Sequence, residues 1–199
     1  MAAKNHPRKG STLTVEPITS LEAITAIRFL LKDRPRDLAL FVVGINTALR
    51  AGDLLALTVG QAREILAGGE RGAAIREHKT GKVRRLVFNR ACREVLAGPG
   101  GILEGPGLDE SGPLFLGRRG RMTPSWLNRL IKGWCRAVGL RGRYGTHTLR
   151  KTWGYHQRVS FGVDIPTLMT VFGHATQRQT LTYLCVQPAE VRGVYANVL

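Results

Sequence analysis

Between Asp37 and Ala48 the chain sets Leu38, Leu40, Phe41, Val42, Val43 and Ile45 so close together that no face of a helix formed there can be given to water. Such a helix has to be surrounded, and the rest of the chain must supply its surroundings. With 199 residues, 43% of them hydrophobic, there is enough apolar material for one sizeable core. The expectation is a single domain built round a central helix over 37–48.

The flanking elements follow from caps, periodicity and breakers. Residues 1–17 are polar, basic and rich in turn formers and read as a flexible tail; residues 18–199 form the domain. Thr19-Ser20 then precedes an apolar-periodic stretch with Glu22 placed for its first turn, which predicts a helix. Ala74-Ile75-Arg76 and Arg85-Leu86-Val87-Phe88 flank the polar turn Lys79-Thr80-Gly81-Lys82 as two strands of a β-hairpin would. Gly98-Pro99-Gly100-Gly101 and Gly105-Pro106-Gly107 bracket a segment with too many breakers for regular structure, a surface or disordered loop. Thr123-Pro124-Ser125 reads as an N-cap followed by proline at the first helical position, with Trp126, Leu127, Leu130, Ile131 and Trp134 at helical spacing. Further helices are expected over 147–159, 165–172 and 188–199. The fold class is therefore α+β: a mostly helical domain with a small antiparallel sheet.

Thirty Lys and Arg stand against 14 Asp and Glu, a formal charge of +16. That excess points to a polyanionic partner, and nucleic acid is favoured over a membrane surface because the basic residues run through the whole chain. Cys92, Cys135 and Cys185 are far apart, odd in number and without the close Cys or His pairs of a zinc site, which suits a reduced, cytoplasmic protein. No apolar run approaches a membrane span, and the N-terminus lacks a signal peptide's apolar stretch.

Five short segments carry candidate chemistry: Leu49-Arg50-Ala51-Gly52-Asp53, His78-Lys79-Thr80-Gly81-Lys82, His147-Thr148-Leu149-Arg150, Phe172-Gly173-His174 and Thr180-Leu181-Thr182-Tyr183. Each has an ordinary explanation. Arg50 and Asp53 suit a local helix ion pair, and His147 and Arg150 a solvated helix face. Gly173-His174 suits a helix end, Lys79 a solvated turn and Tyr183 a packed amphipathic ring. What the separate explanations leave out is their joint occurrence in one order, Arg50, Lys79, His147, Arg150, His174, Tyr183.

That order resembles the tyrosine recombinases, the phage integrase family. Thr47-Ala48-Leu49-Arg50-Ala51-Gly52-Asp53-Leu54-Leu55-Ala56-Leu57 looks like the family's first conserved segment. His147-Thr148-Leu149-Arg150, with Phe172-Gly173-His174 and Tyr183, looks like its second. The likeness runs from about Thr19 to the C-terminus. It implies that Tyr183 would attack a scissile phosphodiester, giving a 3′-phosphotyrosyl link and a free 5′-hydroxyl. Arg50 and Arg150 would stabilise the charge built on the non-bridging oxygens. His147 and His174 would supply hydrogen bonds and proton transfer. Lys79, with Lys82 as its rival, would protonate the leaving oxygen, and Asp53 would orient Arg50. Lys82, Arg84 and Lys151 are expected to contact DNA. Such chemistry needs neither metal nor nucleotide cofactor, and the chain has no carboxylate cluster or phosphate loop for either.

Two departures stand out. Lys151 follows Arg150 where many relatives carry histidine. There is also no room for the helical core-binding domain that integrases place ahead of the catalytic one, so the chain resembles small stand-alone members such as the fimbrial-switch invertases. The expected partner is double-stranded DNA, met by a monomer in solution that assembles as a homo-oligomer, a tetramer, on its site with possible accessory DNA-bending proteins, in the cytoplasm at a bacterial nucleoid. The expected function is integration, excision or inversion of a DNA element. The alternatives are a non-catalytic DNA-binding protein derived from such an enzyme and a type IB topoisomerase that relaxes supercoils without site preference.

Overall fold

The computed structural model describes residues 15–117 and 120–184, with 192, 194–196 and 198 toward the C-terminus. Most of the helix expected over 188–199 and most of the basic tail lie outside the described residues. Val15 to Pro17, read as the end of that tail, pack on the body: the Glu16 amide donates to the Arg143 carbonyl at 2.7 Å, and the Thr148 hydroxyl to that of Glu16 at 2.9 Å.

The central helix is α2 (Pro35–Asn46), preceded by α1 (Leu21–Leu30). Leu40, Phe41, Val42 and Val43 are almost wholly buried, as their density requires. The helix starts earlier than expected because Pro35 suits its first turn. It stops short of Ala48 because that residue takes φ 53°, a left-handed conformation no helix continues through. Beyond it come α3 (Ala51–Ala56) and α4 (Val59–Ala67), neither anticipated from the sequence, the latter opened by a capping box between Thr58 and Gln61.

The hairpin is present as β1 (Ala73–Arg76) and β2 (Val83–Leu86), antiparallel, with Ala73 opposite Leu86 and Arg76 opposite Val83. Ala73, Ile75 and Leu86 turn into the core. α5 (Arg90–Ala97) packs on α2, and a second small pairing joins β3 (Leu116–Gly117) to β4 (Gly120–Arg121). The breaker-rich segment between them is a loop that is pinned down: Leu103 is buried, and the carbonyls of Glu110 and Gly112 accept the first amides of α4.

The helices expected from Thr123 and over 147–159 and 165–172 are present, and a further helix over Gln177–Leu184 was not anticipated from the sequence. α6 (Pro124–Ala137) starts at Thr123, whose hydroxyl accepts the Trp126 amide, and α8 (Ile165–Phe172) at Asp164, which accepts that of Thr167. α7 (Thr146–Val159) crosses α2, α6, α8 and α9 (Gln177–Leu184). Gly173, at φ 65° and ψ 34°, closes α8 in the left-handed conformation that glycine adopts without strain. A main core surrounds α2, and a smaller apolar cluster of Ala48, Leu168, Phe172 and Leu184 lies among α7, α8 and α9. Burial of Cys92 and Cys135 pushes both thiols up to about 12, which leaves them protonated at neutral pH. Among the described residues no helix is long and apolar enough to cross a membrane.

Candidate active site

The smaller apolar cluster is the floor on which the charged residues stand. Arg150, on α7, is 2% exposed, and its guanidinium fork is filled by two carbonyls: Nη1 donates to Ala48 at 2.6 Å and Nη2 to Phe172 at 2.8 Å. The left-handed turn at Ala48 and the end of α8 aim those two carbonyls at one point. Burial, aided by the cations of Arg50 and Arg84, pushes Arg150 down to about 10 against the pull of Tyr183 and Glu77, so it stays charged at neutral pH. The Phe172 ring lies under it, 4.9 Å from ring centre to guanidinium carbon.

Arg50 approaches from the other side. Its Nη1 donates to Glu77 Oε2 at 2.6 Å and its Nη2 reaches the same Phe172 carbonyl at 3.5 Å. Asp53, expected to orient Arg50, is 3.9 Å away, and its Oδ1 accepts the His78 amide at 2.8 Å instead. The direct partner is Glu77, which sequence reasoning missed. It also accepts from the Thr80 hydroxyl at 2.7 Å and pairs with Arg84 at 3.8 Å. Burial alone would raise the Glu77 carboxyl, but the Thr80 hydroxyl and the Arg50 and Arg84 cations together hold it below the usual glutamate range. The signal in the sequence was that Glu77 is the one acidic residue of the segment Arg76-Glu77-His78-Lys79-Thr80-Gly81-Lys82.

Tyr183, on α9, closes the site. Its hydroxyl is 3.4 Å from His147 Nδ1, and its ring faces Arg150 at 5.8 Å and Lys151 at 5.2 Å. His174 stacks on Phe172, with ring centres 5.1 Å apart, and its Nδ1 meets the Thr180 hydroxyl at 3.0 Å, which fixes the imidazole against α9. Both histidines are held below the usual value, first by burial and then by neighbouring cations. The cations acting on His147 are Arg150, Lys151, Lys79 and Arg50. A neutral imidazole beside the tyrosine hydroxyl can accept its proton.

Arg50, His147, Arg150, His174 and Tyr183 thus converge from four stretches of chain, and the hairpin turn presents Lys79, exposed, close enough for its charge to act on His147. Lys82 is exposed in the same turn. Arg84 and Lys151, read as DNA contacts, turn inward: Arg84 donates to the Thr47 carbonyl at 3.2 Å, and Lys151 is 5% exposed.

Comparison with known proteins identifies the family of the chain. The family model described as the phage integrase family matches residues 15–190. The probable integrase/recombinase YoeC of Bacillus subtilis (strain 168) is 32% identical over 186 residues, 91% of this chain and 95% of its own length. Among solved structures, XerA recombinase is similar at a TM-score of 0.70 and 22% identity, over 96% of this chain but 65% of that one. XerH recombinase, solved bound to its difH substrate after cleavage, is similar at a TM-score of 0.67 and 17% identity, over 94% of this chain and 54% of its own. The chain spans less than two thirds of those two proteins, and at such identities they speak for the fold. The chain belongs to the phage integrase family and carries the catalytic domain of a tyrosine-type site-specific recombinase.

Proposed function

We propose that this chain breaks and rejoins double-stranded DNA at a defined site with Tyr183 as nucleophile. The observation that carries the reading is the placement of the Tyr183 hydroxyl 3.4 Å from His147 and beside the buried Arg150 fork. The proton of Tyr183 passes to His147 as its oxygen bonds to phosphorus. The bond from phosphorus to the 5′-oxygen breaks, and Lys79 supplies the proton that oxygen needs, with Lys82 its neighbour in the same turn. Arg50 and Arg150 stabilise the charge on the non-bridging oxygens, and His174 adds a donor. Asp53 holds the hairpin's His78 amide while Glu77 orients Arg50. Rejoining is the reverse attack by a 5′-hydroxyl on the 3′-phosphotyrosyl bond, which keeps the energy of the broken ester.

The task is integration and excision of a mobile element or inversion of a short one, performed in the cytoplasm on nucleoid DNA. The chain assembles on its site as a tetramer from monomers in solution, with DNA-bending proteins as accessories. The charge of +16 supports DNA as the partner, and related folds have been solved on DNA.

The experiment is covalent trapping. Wild type and Tyr183→Phe are incubated with nicked duplexes tiled across the DNA flanking the gene. An adduct that survives SDS, formed by wild type and absent from Tyr183→Phe, supports the reading and locates the site. Salt-sensitive binding by both without an adduct supports a non-catalytic DNA-binding protein. Relaxation of arbitrary plasmid as efficiently as site-bearing plasmid supports a topoisomerase.

A further inference from the structure

Arg84 is an arginine on the inner side of the hairpin. On β2 it shares its face with the buried Leu86, while Val83 and Arg85 are exposed. Its Nη2 donates to the Thr47 carbonyl at 3.2 Å, and its Nη1 is buried 3.8 Å from Glu77 Oε1. Burial, with the Arg50 cation, lowers the pKa of Arg84 against the pull of Glu77 and Asp53, and Arg84 in turn works against the charge of Arg150. A third guanidinium beside Arg50 and Arg150 is therefore costly, and a methionine would fill the same space without that cost. Both ends of the fork are turned to protein atoms, so the use of this guanidinium lies within the protein. We propose that Arg84 is a positioning residue that acts through Lys79, tying the base of the hairpin turn to the corner at Thr47 and Ala48 so that the proton donor keeps its place relative to Arg150. This rests on the reading of Tyr183 as nucleophile and Lys79 as acid.

The turn is closed within itself. The Glu77 amide donates to the Lys82 carbonyl at 2.9 Å, the Gly81 amide to that of Glu77 at 2.9 Å, and the Thr80 hydroxyl to the Glu77 carboxylate at 2.7 Å. Where Lys79 stands is therefore decided by what holds Glu77 and His78. Asp53 accepts the His78 amide, Arg50 takes one carboxylate oxygen of Glu77, and Arg84 approaches the other. Arg84 also bonds to the Thr47 carbonyl, and the next carbonyl, that of Ala48, receives Arg150 Nη1 at 2.6 Å. One side chain thus spans from the turn that carries the acid to the corner that fixes Arg150. In the cleavage step the bond from phosphorus to the 5′-oxygen breaks, its electron pair goes to that oxygen, and Lys79 gives the oxygen a proton. A turn that Arg84 no longer holds loses the register of this transfer, which needs heavy atoms about 3 Å apart. The charge on the non-bridging oxygens is met by Arg50 and Arg150 directly and does not pass through the turn.

The test uses the full chain and two readouts. In the free protein, amide hydrogen exchange across the turn from Glu77 to Lys82 should quicken about tenfold in Arg84→Met, while α2 and α7 keep their protection. On nicked duplexes, single-turnover adduct formation is compared between an ordinary 5′-oxygen and a 5′-bridging sulfur, which leaves as a thiolate and needs no proton. Arg84→Met, and Arg84→Lys, which keeps the charge but not the fork, should fall on the oxygen duplex by about 10- to 100-fold, a part of what a lost general acid costs. On the sulfur duplex both should stay within a few-fold of wild type, as should Lys79→Ala. Adding Lys79→Ala to Arg84→Met should cost little more than Lys79→Ala alone, because both act on one proton transfer. A loss equal on the two duplexes, a rate per folded molecule unchanged on both, or unchanged exchange in the turn overturns the proposal. Quickened exchange confined to the turn, with no adduct from wild type on any duplex, means that the cleavage reading has failed and the hold of Arg84 on the turn stands.

Discussion

Arg50 and Arg150 share one acceptor: the carbonyl oxygen of Phe172 lies 3.5 Å from Nη2 of the first and 2.8 Å from Nη2 of the second. Two guanidiniums from distant parts of the chain repel, so the site needs fixed negative ends between them. The last turn of α8 supplies one, since unpaired carbonyls and the negative end of the helix dipole gather at a helix C-terminus. Gly173 ends the helix there and turns the chain toward His174, so the same residue pair that caps α8 also delivers a donor to the site.

Arg150→Lys should separate charge from geometry. An ammonium keeps the cation but cannot fill both the Ala48 and Phe172 carbonyls from one planar fork. Adduct formation is expected to fall by about 10² to 10³, the range seen when one preorganised donor is lost from a charge-stabilising site. Single-turnover trapping reads this directly, and a variant within a few-fold of wild type would show that only the charge matters.

Glu77→Gln should loosen Arg50 and change the acid limit of stability. The carboxylate is nearly buried among Arg50, Arg84 and Thr80, so its loss leaves cations without their partner, at a cost of about 2–3 kcal/mol. Because its folded value lies below the ordinary 4.5, the stabilisation is present above that pH and is lost as the pH falls through the lowered value. Urea melts from pH 7 down to 3 should therefore converge for wild type and variant in acid. Curves that stay parallel throughout would mean that the ionised Glu77 contributes nothing.

The elements that the sequence made legible are those with a local signature. Thr123-Pro124 and Gly173 mark helix ends through interactions with their own neighbours, and the turn from Glu77 to Lys82 closes within itself. The six candidate residues were legible because their order resembles a family. The Arg50–Glu77 pair was not, since it joins positions on either side of α3 and α4 and nothing local reports the closure. The inward turn of Lys151 was equally hidden. A lysine's expected place is the surface, and only the packing of α9 on α7 shows this one to be covered.

His147 should titrate below its ordinary 6.5, because burial and then Arg150, Lys151, Lys79 and Arg50 all disfavour its cation. The folded protein then binds fewer protons than the unfolded chain between the lowered value and 6.5. This group therefore makes stability rise with pH through that window. The imidazole is neutral at pH 7, as a proton acceptor for Tyr183 must be. Nuclear magnetic resonance of its Cε1 proton should give a midpoint under 6.5 that moves upward in Arg150→Ala. A midpoint at or above 6.5 in wild type would place the ring in water and away from those cations.

Gly154 tests the scaffold behind Tyr183 without touching the charged residues. It lies inside α7, where glycine costs about 1 kcal/mol relative to alanine, so its presence calls for a reason in the packing. A Cβ added there would fall 2.6 Å from Phe172 Cζ and 2.9 Å from Leu184 Cδ2, and neither side chain has space to yield because both are fully buried. Gly154→Ala should thus push α8 and α9 away from α7, for a net destabilisation of about 1–2 kcal/mol after the gain in helix propensity. Leu184 adjoins Tyr183, so the displacement reaches the nucleophile, and adduct formation should fall by more than the loss of folded protein accounts for. Urea unfolding measures the first effect and single-turnover trapping, normalised to folded protein, the second. An unchanged rate per folded molecule would show that Tyr183 is positioned by its contacts with α7 and not by the packing of α9 beneath it.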